Sequence, residues 1–106
     1  MTNPDPTKTI IDELTIEDPE LGLIIFHYKK RQILELLIKK AMTIQELRIA
    51  TKINPGTIKR HLEDLQQHNL VFVESTSENE FHNKMKYYRA IARSLLIKVR
   101  IPNSSK

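Results

Sequence analysis

The stretch from Thr43 to Leu70 constrains this chain more than any other. Thr43-Ile44-Gln45-Glu46 has the pattern of a capping box. The Thr43 hydroxyl can accept from the backbone N–H three residues on, and the Glu46 carboxylate can reach back to the Thr43 N–H. Leu47 and Ala50 continue the apolar spacing from Ile44. A second start follows at Asn54-Pro55-Gly56-Thr57. Asn54 is a favoured N-cap, and Pro55 takes the first helical position, where its missing N–H costs nothing. Ile58, Leu62 and Leu65 then recur at i, i+4 and i+7, so one face of this helix is apolar. The opposite face and its flanks carry Thr57, Lys59, Arg60, Asp64 and Gln67.

Two capped helices joined by a tight turn, the second with a basic outer face, read as a helix-turn-helix. In that arrangement the second helix is the one that enters a DNA major groove. Capping boxes begin helices in every fold, so the residues that follow decide. His68-Asn69 ends the helical pattern. Leu70-Val71-Phe72-Val73-Glu74 is a β-branched and aromatic run, hence a strand. Ser75 to Asn83 is polar and reads as a loop, and Lys84-Met85-Lys86-Tyr87-Tyr88-Arg89 as a second strand. The expected fold is mainly α with a small β-hairpin wing, a winged helix-turn-helix. Its recognition helix covers about 55–68 and its wing about 70–91.

A chain of 106 residues is one domain. Its charge is uneven. Residues 1–20 set Asp5, Asp12, Glu13, Glu17, Asp18 and Glu20 against Lys8, a balance of −5, which leaves +9 for residues 21–106. A domain that basic is biased toward polyanions, above all nucleic acid. Cys is absent, which excludes disulfides and thiolate metal sites and suits a reducing cytoplasm. The four His residues, His27, His61, His68 and His82, stand without ligand spacing, so neither a metal nor another cofactor is expected. His61 is expected to pack between the recognition helix and the body. There is no run of 18 apolar residues to span a membrane and no apolar core of a secretory signal, so the expected location is cytoplasmic. With no Cys nucleophile and no Gly-rich phosphate loop, no enzyme is expected.

The remainder divides into an acidic flexible tail at 1–17, a domain at 18–101 and a C-terminal tail at 102–106. Asp18-Pro19-Glu20 starts a helix in which Leu21, Leu23, Ile24, Ile25 and Phe26 are apolar on every side. Such a helix needs burial, either in this small core or against a second subunit, and Leu21–Phe26 is read as part of a homodimer interface. A further helix places Ile33, Leu34, Leu37, Ile38 and Ala41 on one face, with Lys29, Lys30 and Arg31 exposed near its start for phosphate contacts. Ala90 to Leu95 suits a short helical turn. Ile97, Val99 and Ile101 alternate with Lys98 and Arg100, so the C-terminal segment reads as a strand that joins either the wing sheet or a second chain.

The combined pattern resembles the ArsR-like winged helix-turn-helix regulators. His27-Tyr28-Lys29-Lys30-Arg31-Gln32-Ile33-Leu34 is similar to their His-Pro-x-Arg-x-x-Ile-Leu, and Met42-Thr43-Ile44-Gln45-Glu46-Leu47 to their second helix. Asn54-Pro55-Gly56-Thr57-Ile58-Lys59-Arg60-His61-Leu62 looks like their Ser-Pro-Gly-Thr-Val-x-x-His-Leu. Lys86-Tyr87-Tyr88-Arg89-Ala90 looks like the end of their wing, especially in archaeal members. The resemblance implies a dimeric transcriptional regulator. Three positions depart from the family pattern. Tyr28 replaces Pro, which frees the preceding helix to run on into the next. Arg48 replaces a small Ala at a helix contact. Lys52 replaces a turn Gly, so the turn is expected to take another shape.

On this reading Thr57 and Arg60 reach base edges, Arg60 through guanine O6 and N7. Asn54, Gly56 and Lys59 lie at the helix start, where backbone N–H groups favour phosphate. Thr43 and Gln45 hold the DNA backbone from the preceding helix, and Asn83, Lys84 and Lys86 reach it from the wing. Rival readings are a protein-interaction module, a non-specific architectural DNA binder, and an RNA binder using Tyr87 and Tyr88.

Overall fold

A computed structural model describes residues 9–98. In order they form β1 (Leu14–Ile16), α1 (Pro19–Phe26), α2 (Tyr28–Lys39), α3 (Ile44–Thr51), α4 (Pro55–Gln67), β2 (Val71–Glu78), β3 (Lys84–Ala90) and β4 (Leu95–Ile97). Helices α2, α3 and α4 pack around Ile33, Leu34, Leu37, Leu47, Ile58 and Leu62, each no more than 2% exposed. Complete burial of one such aliphatic side chain contributes about 1.5–3 kcal/mol. The antiparallel β2–β3 hairpin closes this core through Val71, Val73, Tyr88 and Ala90. This is the winged helix-turn-helix arrangement the periodicity indicates.

The wing is anchored at its base. The Met42 N–H donates to the Tyr88 carbonyl at 3.0 Å and the Tyr88 N–H returns to Met42 at 2.9 Å, so the residue before the α3 cap acts as a third strand one residue long. Glu74 is the extra residue of a β-bulge between Val73 and Ser75, which bends the strand locally. At the α4 end Asn69 takes φ 61°. Its N–H donates to the Gln66 carbonyl and that of Leu70 to the Leu65 carbonyl, both at 2.9 Å. These are the paired bonds of a Schellman stop, and Asn tolerates the left-handed conformation it needs.

Several expectations are corrected. Helix α1 does not run on into α2. His27 is extended (φ −62°, ψ 124°), its N–H caps the Ile24 carbonyl at 3.2 Å, and its carbonyl starts α2 by accepting from the Arg31 N–H at 2.9 Å. The break therefore needs no Pro. Lys52 keeps the left-handed turn (φ 63°, ψ 21°) rather than changing its shape. Residues 90–95 form no helix. Nor does the C-terminal segment join the wing sheet: β4 pairs in parallel with β1, Leu14 facing Leu95 and Ile16 facing Ile97.

That pairing also corrects the boundary of the N-terminal tail. Ile16 is buried in the core, the Ile11 N–H donates to the Ile91 carbonyl at 2.9 Å, and Arg93 bonds the Asp12 carboxylate at 2.8 Å. The segment from Ile11 onward belongs to the domain, because Leu14 and Ile16 supply apolar surface that the small helical core otherwise lacks. Helix α1 rests on β4, with Gly22 close to Ile97. Only part of α1 is covered. Gly22 and Ile25 are buried, whereas Leu23 is 72% and Phe26 52% exposed. The expected C-terminal strand beyond Lys98 and the tail at 102–106 lie outside the described residues.

Candidate nucleic-acid interface

The candidate surface is built on α3, the turn after it, α4 and the wing. The capping box at the α3 start is complete: the Glu46 N–H donates to Thr43 Oγ1 at 3.1 Å and the Thr43 N–H to Glu46 Oε1 at 3.0 Å. Thr43 is only 6% exposed. Its hydroxyl oxygen accepts in the cap, so a contact from Thr43 to the DNA backbone would use the remaining O–H donor. Gln45 lies exposed in the first turn, two residues after the cap, and accepts from Arg48 Nε at 3.3 Å. Arg48, in place of a small residue, lies along the surface rather than between helices.

At the α4 start, Asn54 Oδ1 accepts from the Gly56 N–H at 2.8 Å. A Cβ on Gly56 would come within 3.1 Å of that same oxygen, so a larger residue there would press on the cap. Pro55 has no N–H, the Gly56 N–H is taken by Asn54, and the Ile58 N–H goes to the Asn54 carbonyl at 2.9 Å. A phosphate arriving here therefore meets the Thr57 N–H, a narrower anion site than a bare helix start.

With Ile58, Leu62 and Leu65 buried, the 3.6-residue period turns Gly56, Arg60, Glu63 and Gln67 outward, with Lys59 and Thr57 on the two flanks. Lys59 and Arg60 are exposed, and no ion pair to either forms among the described residues. Glu63 is the functional candidate that charge reasoning passed over. It lies exposed on the outer face, three residues after Arg60, a position the helical period alone identifies. Burial first and the Glu63 carboxylate second push the Tyr88 phenol up. Asp64 leaves the outer face, because its Oδ2 is 3.0 Å from Lys30 Nζ. That pair ties α4 to α2 and withdraws Lys30 from the expected phosphate contacts. Arg31 is paired with Glu35 at 3.1 Å on its own helix.

His61 packs into the body as expected, its ring 5.0 Å from that of His27. The two residues are 34 positions apart in sequence, and nothing local announces the pairing. His61 Nε2 is buried without a hydrogen-bond partner. Desolvation first, then the charges of Lys30, His27, Arg60 and Lys29, hold its pKa below the ordinary histidine value. No group of three or more potential metal ligands occurs among the described residues.

On the wing, Lys84 and Lys86 alternate with Met85 and so share a sheet face with Tyr88 and Ala90, the face packed against the helices. They extend that face beyond the body. Lys84 stands opposite Glu78 and Lys86 opposite Thr76. Asn83 is exposed, and its N–H donates to Asn79 Oδ1 at 3.0 Å. The structure thus separates the expected site into a helix group (Thr43, Gln45, Asn54, Gly56, Thr57, Lys59, Arg60) and a wing group (Asn83, Lys84, Lys86).

Comparison with known proteins agrees with this geometry. The family described as "Bacterial regulatory protein, arsR family" matches residues 28–72, from α2 into β2 and under half of the chain. The fold is shared with the transcriptional regulator HlyU from Vibrio vulnificus, with a TM-score of 0.53 at 21% identity over 66% of this chain and 67% of that one. The transcriptional repressor BigR from Xylella fastidiosa gives 0.54 at 21% identity, over 67% of this chain and 64% of its own. The homodimeric winged helix-turn-helix DNA-binding domain Mb0332 from Mycobacterium bovis, a possible ArsR-family transcriptional regulator, gives 0.52 at 24% identity. That match covers 67% of this chain and 60% of the other. At these identities the likeness is one of fold. A search of curated proteins finds no match.

Proposed function

We propose that this chain is a sequence-specific, double-stranded DNA-binding transcriptional regulator that inserts α4 into the major groove and reaches the backbone from its wing. The observation that carries the reading is the outer face of α4. Two cations, Lys59 and Arg60, stand exposed and without ion pairs among the described residues, on a helix capped at both ends and fixed to the body by Lys30–Asp64. Charged side chains held ready in this way suit a polyanion, and a guanidinium on the outward face suits guanine O6 and N7. The arsR-family match over the same helices supports it. The archaeal character, which rests on the Lys86–Ala90 motif, belongs to this proposal, and so does a cytoplasmic place of action. No catalytic role is part of it.

The proposal includes a homodimer. The exposed Leu23 and Phe26 of α1 and the half-exposed Leu96 of β4 provide apolar surface for a second copy, and the homodimeric state of the M. bovis domain supports that occupant. A two-fold dimer places its recognition helices about 34 Å apart, on half-sites one helical turn apart.

The test is Arg60→Ala in a binding-site selection. Loss of preference at one base position, worth about 1–3 kcal/mol, is the expected result. Uniform weakening on all sequences would instead make Arg60 a phosphate contact and contradict base reading by this side chain. Leu23→Asp with Phe26→Asp is expected to give a monomer in sedimentation, and an unchanged dimer would move the interface elsewhere.

A further inference from the structure

The wing ends on an apolar ring. Phe81 is 72% exposed at the tip of the β2–β3 hairpin, where polar residues are the ordinary choice. Its loop is closed on itself. Asn79 Oδ1 accepts from the Phe81 N–H at 2.9 Å and from the Asn83 N–H at 3.0 Å. The Asn79 N–H donates to the Asn83 carbonyl and that of His82 to the Asn79 carbonyl, both at 3.0 Å, with His82 at φ 64°. A tip so bonded presents its ring with little backbone entropy left to lose on binding.

The charges around Phe81 do not suit a simple phosphate clamp. Glu78 and Glu80 offset Lys84 and Lys86, and Glu78 is 3.6 Å from His82 Nδ1. Yet the two lysines lie on the helix-side face of the wing and below the tip, so cations flank an apolar end. That order of cationic shaft and uncharged point fits a duplex. Phosphates line the groove walls, and an apolar side chain can enter between base steps at the groove floor.

We propose that Phe81 is a minor-groove wedge. When α4 occupies the major groove, the wing tip enters the neighbouring minor groove and the Phe81 ring stacks at a base step and partly opens it. Flexible pyrimidine–purine steps yield most easily, so the wedge adds sequence preference at a position α4 does not touch. This deepens the DNA-binding reading above and rests on it.

The chain contains no Trp, so Phe81→Trp introduces its only indole. The probe is an end-labelled duplex of the sequence directly upstream of the protein's own gene, followed by anisotropy of the label and by Trp emission together. Phe81→Trp is expected to bind as the unaltered protein does, with emission strongly quenched at saturation. Phe81→Ala, unchanged in thermal stability because the ring is exposed, is expected to bind about tenfold more weakly, within the range for losing one stacked base, and to lose any bend detected by circular permutation. Anisotropy that reports full binding while Trp emission stays unchanged overturns the wedge and leaves the DNA-binding reading standing. Absence of binding by the unaltered protein, even at low salt, overturns both. Emission that shifts blue on concentrating the variant without DNA identifies a second copy as the occupant and overturns the proposal.

Discussion

Lys30 Nζ lies 3.0 Å from Asp64 Oδ2 and joins the start of α2 to the last turn of α4. The Lys30 side chain is 14% exposed, so the pair is neither a free surface contact nor a fully buried one. It adds a polar tie to the packing of Ile58, Leu62 and Leu65, whose burial turns Arg60 outward. Asp64→Asn removes the charge at constant size. It is expected to cost roughly 1–2 kcal/mol, between the values for exposed and buried pairs. Urea denaturation measures it, and a midpoint that does not move would show the pair to be incidental.

Lys52 holds the turn between the two central helices in a left-handed conformation, φ 63°. A side chain there costs about 1–2 kcal/mol, offset by the greater freedom that Gly loses on folding. Lys52→Gly is therefore expected to raise stability by about 0.5–1 kcal/mol, read as an increase in Tm. A decrease would mean that the Lys52 side chain contributes more than its backbone strain removes.

Glu63 shares the outer face of α4 with Arg60. A carboxylate repels phosphate on any sequence but accepts from cytosine N4 on the right one. Glu63→Ala is expected to tighten binding to a scrambled duplex while reducing the ratio of specific to scrambled affinity about tenfold. Anisotropy titrations on both duplexes check it. Equal shifts on the two would remove Glu63 from base reading.

His61 gives the fold a pH dependence of defined sign. Its folded pKa is lowered, by desolvation first and then by Lys30, His27, Arg60 and Lys29. As pH falls through the unfolded histidine value, about 6.5, the unfolded chain takes up a proton that the folded chain resists. Stability is therefore complete above that pH and declines below it. His61→Gln is expected to flatten the fall in Tm between about pH 7.5 and 5.5. An identical slope in the variant would contradict this account.

What could be read in the sequence was local. The Thr43–Glu46 box, the Asn54 cap, the Pro55 start and the apolar period of α4 depend on residues three or four apart, and each is present in the structure. The wing was legible because two β-rich runs flank one polar stretch. The features that were not legible are contacts across long separations. The β1–β4 pairing joins residues some 80 positions apart through strands of three residues, too short for alternation to declare itself. The Lys30–Asp64 and His27–His61 contacts look, in sequence, like solvated charges and scattered rings. Lys52 takes the left-handed turn against its own preference, because the packing of α3 on α4 sets the turn. Phe81 was hidden in a loop read only for its polarity.

The central claim is tested most directly by a salt titration of two duplexes of equal length, one from directly upstream of the protein's own gene and one scrambled. The account predicts that upstream binding survives near physiological salt while scrambled binding falls away, with a slope set by the number of phosphates contacted. Failure to bind either duplex even at low salt would contradict it and would mean that this helix-turn-helix serves a protein partner instead.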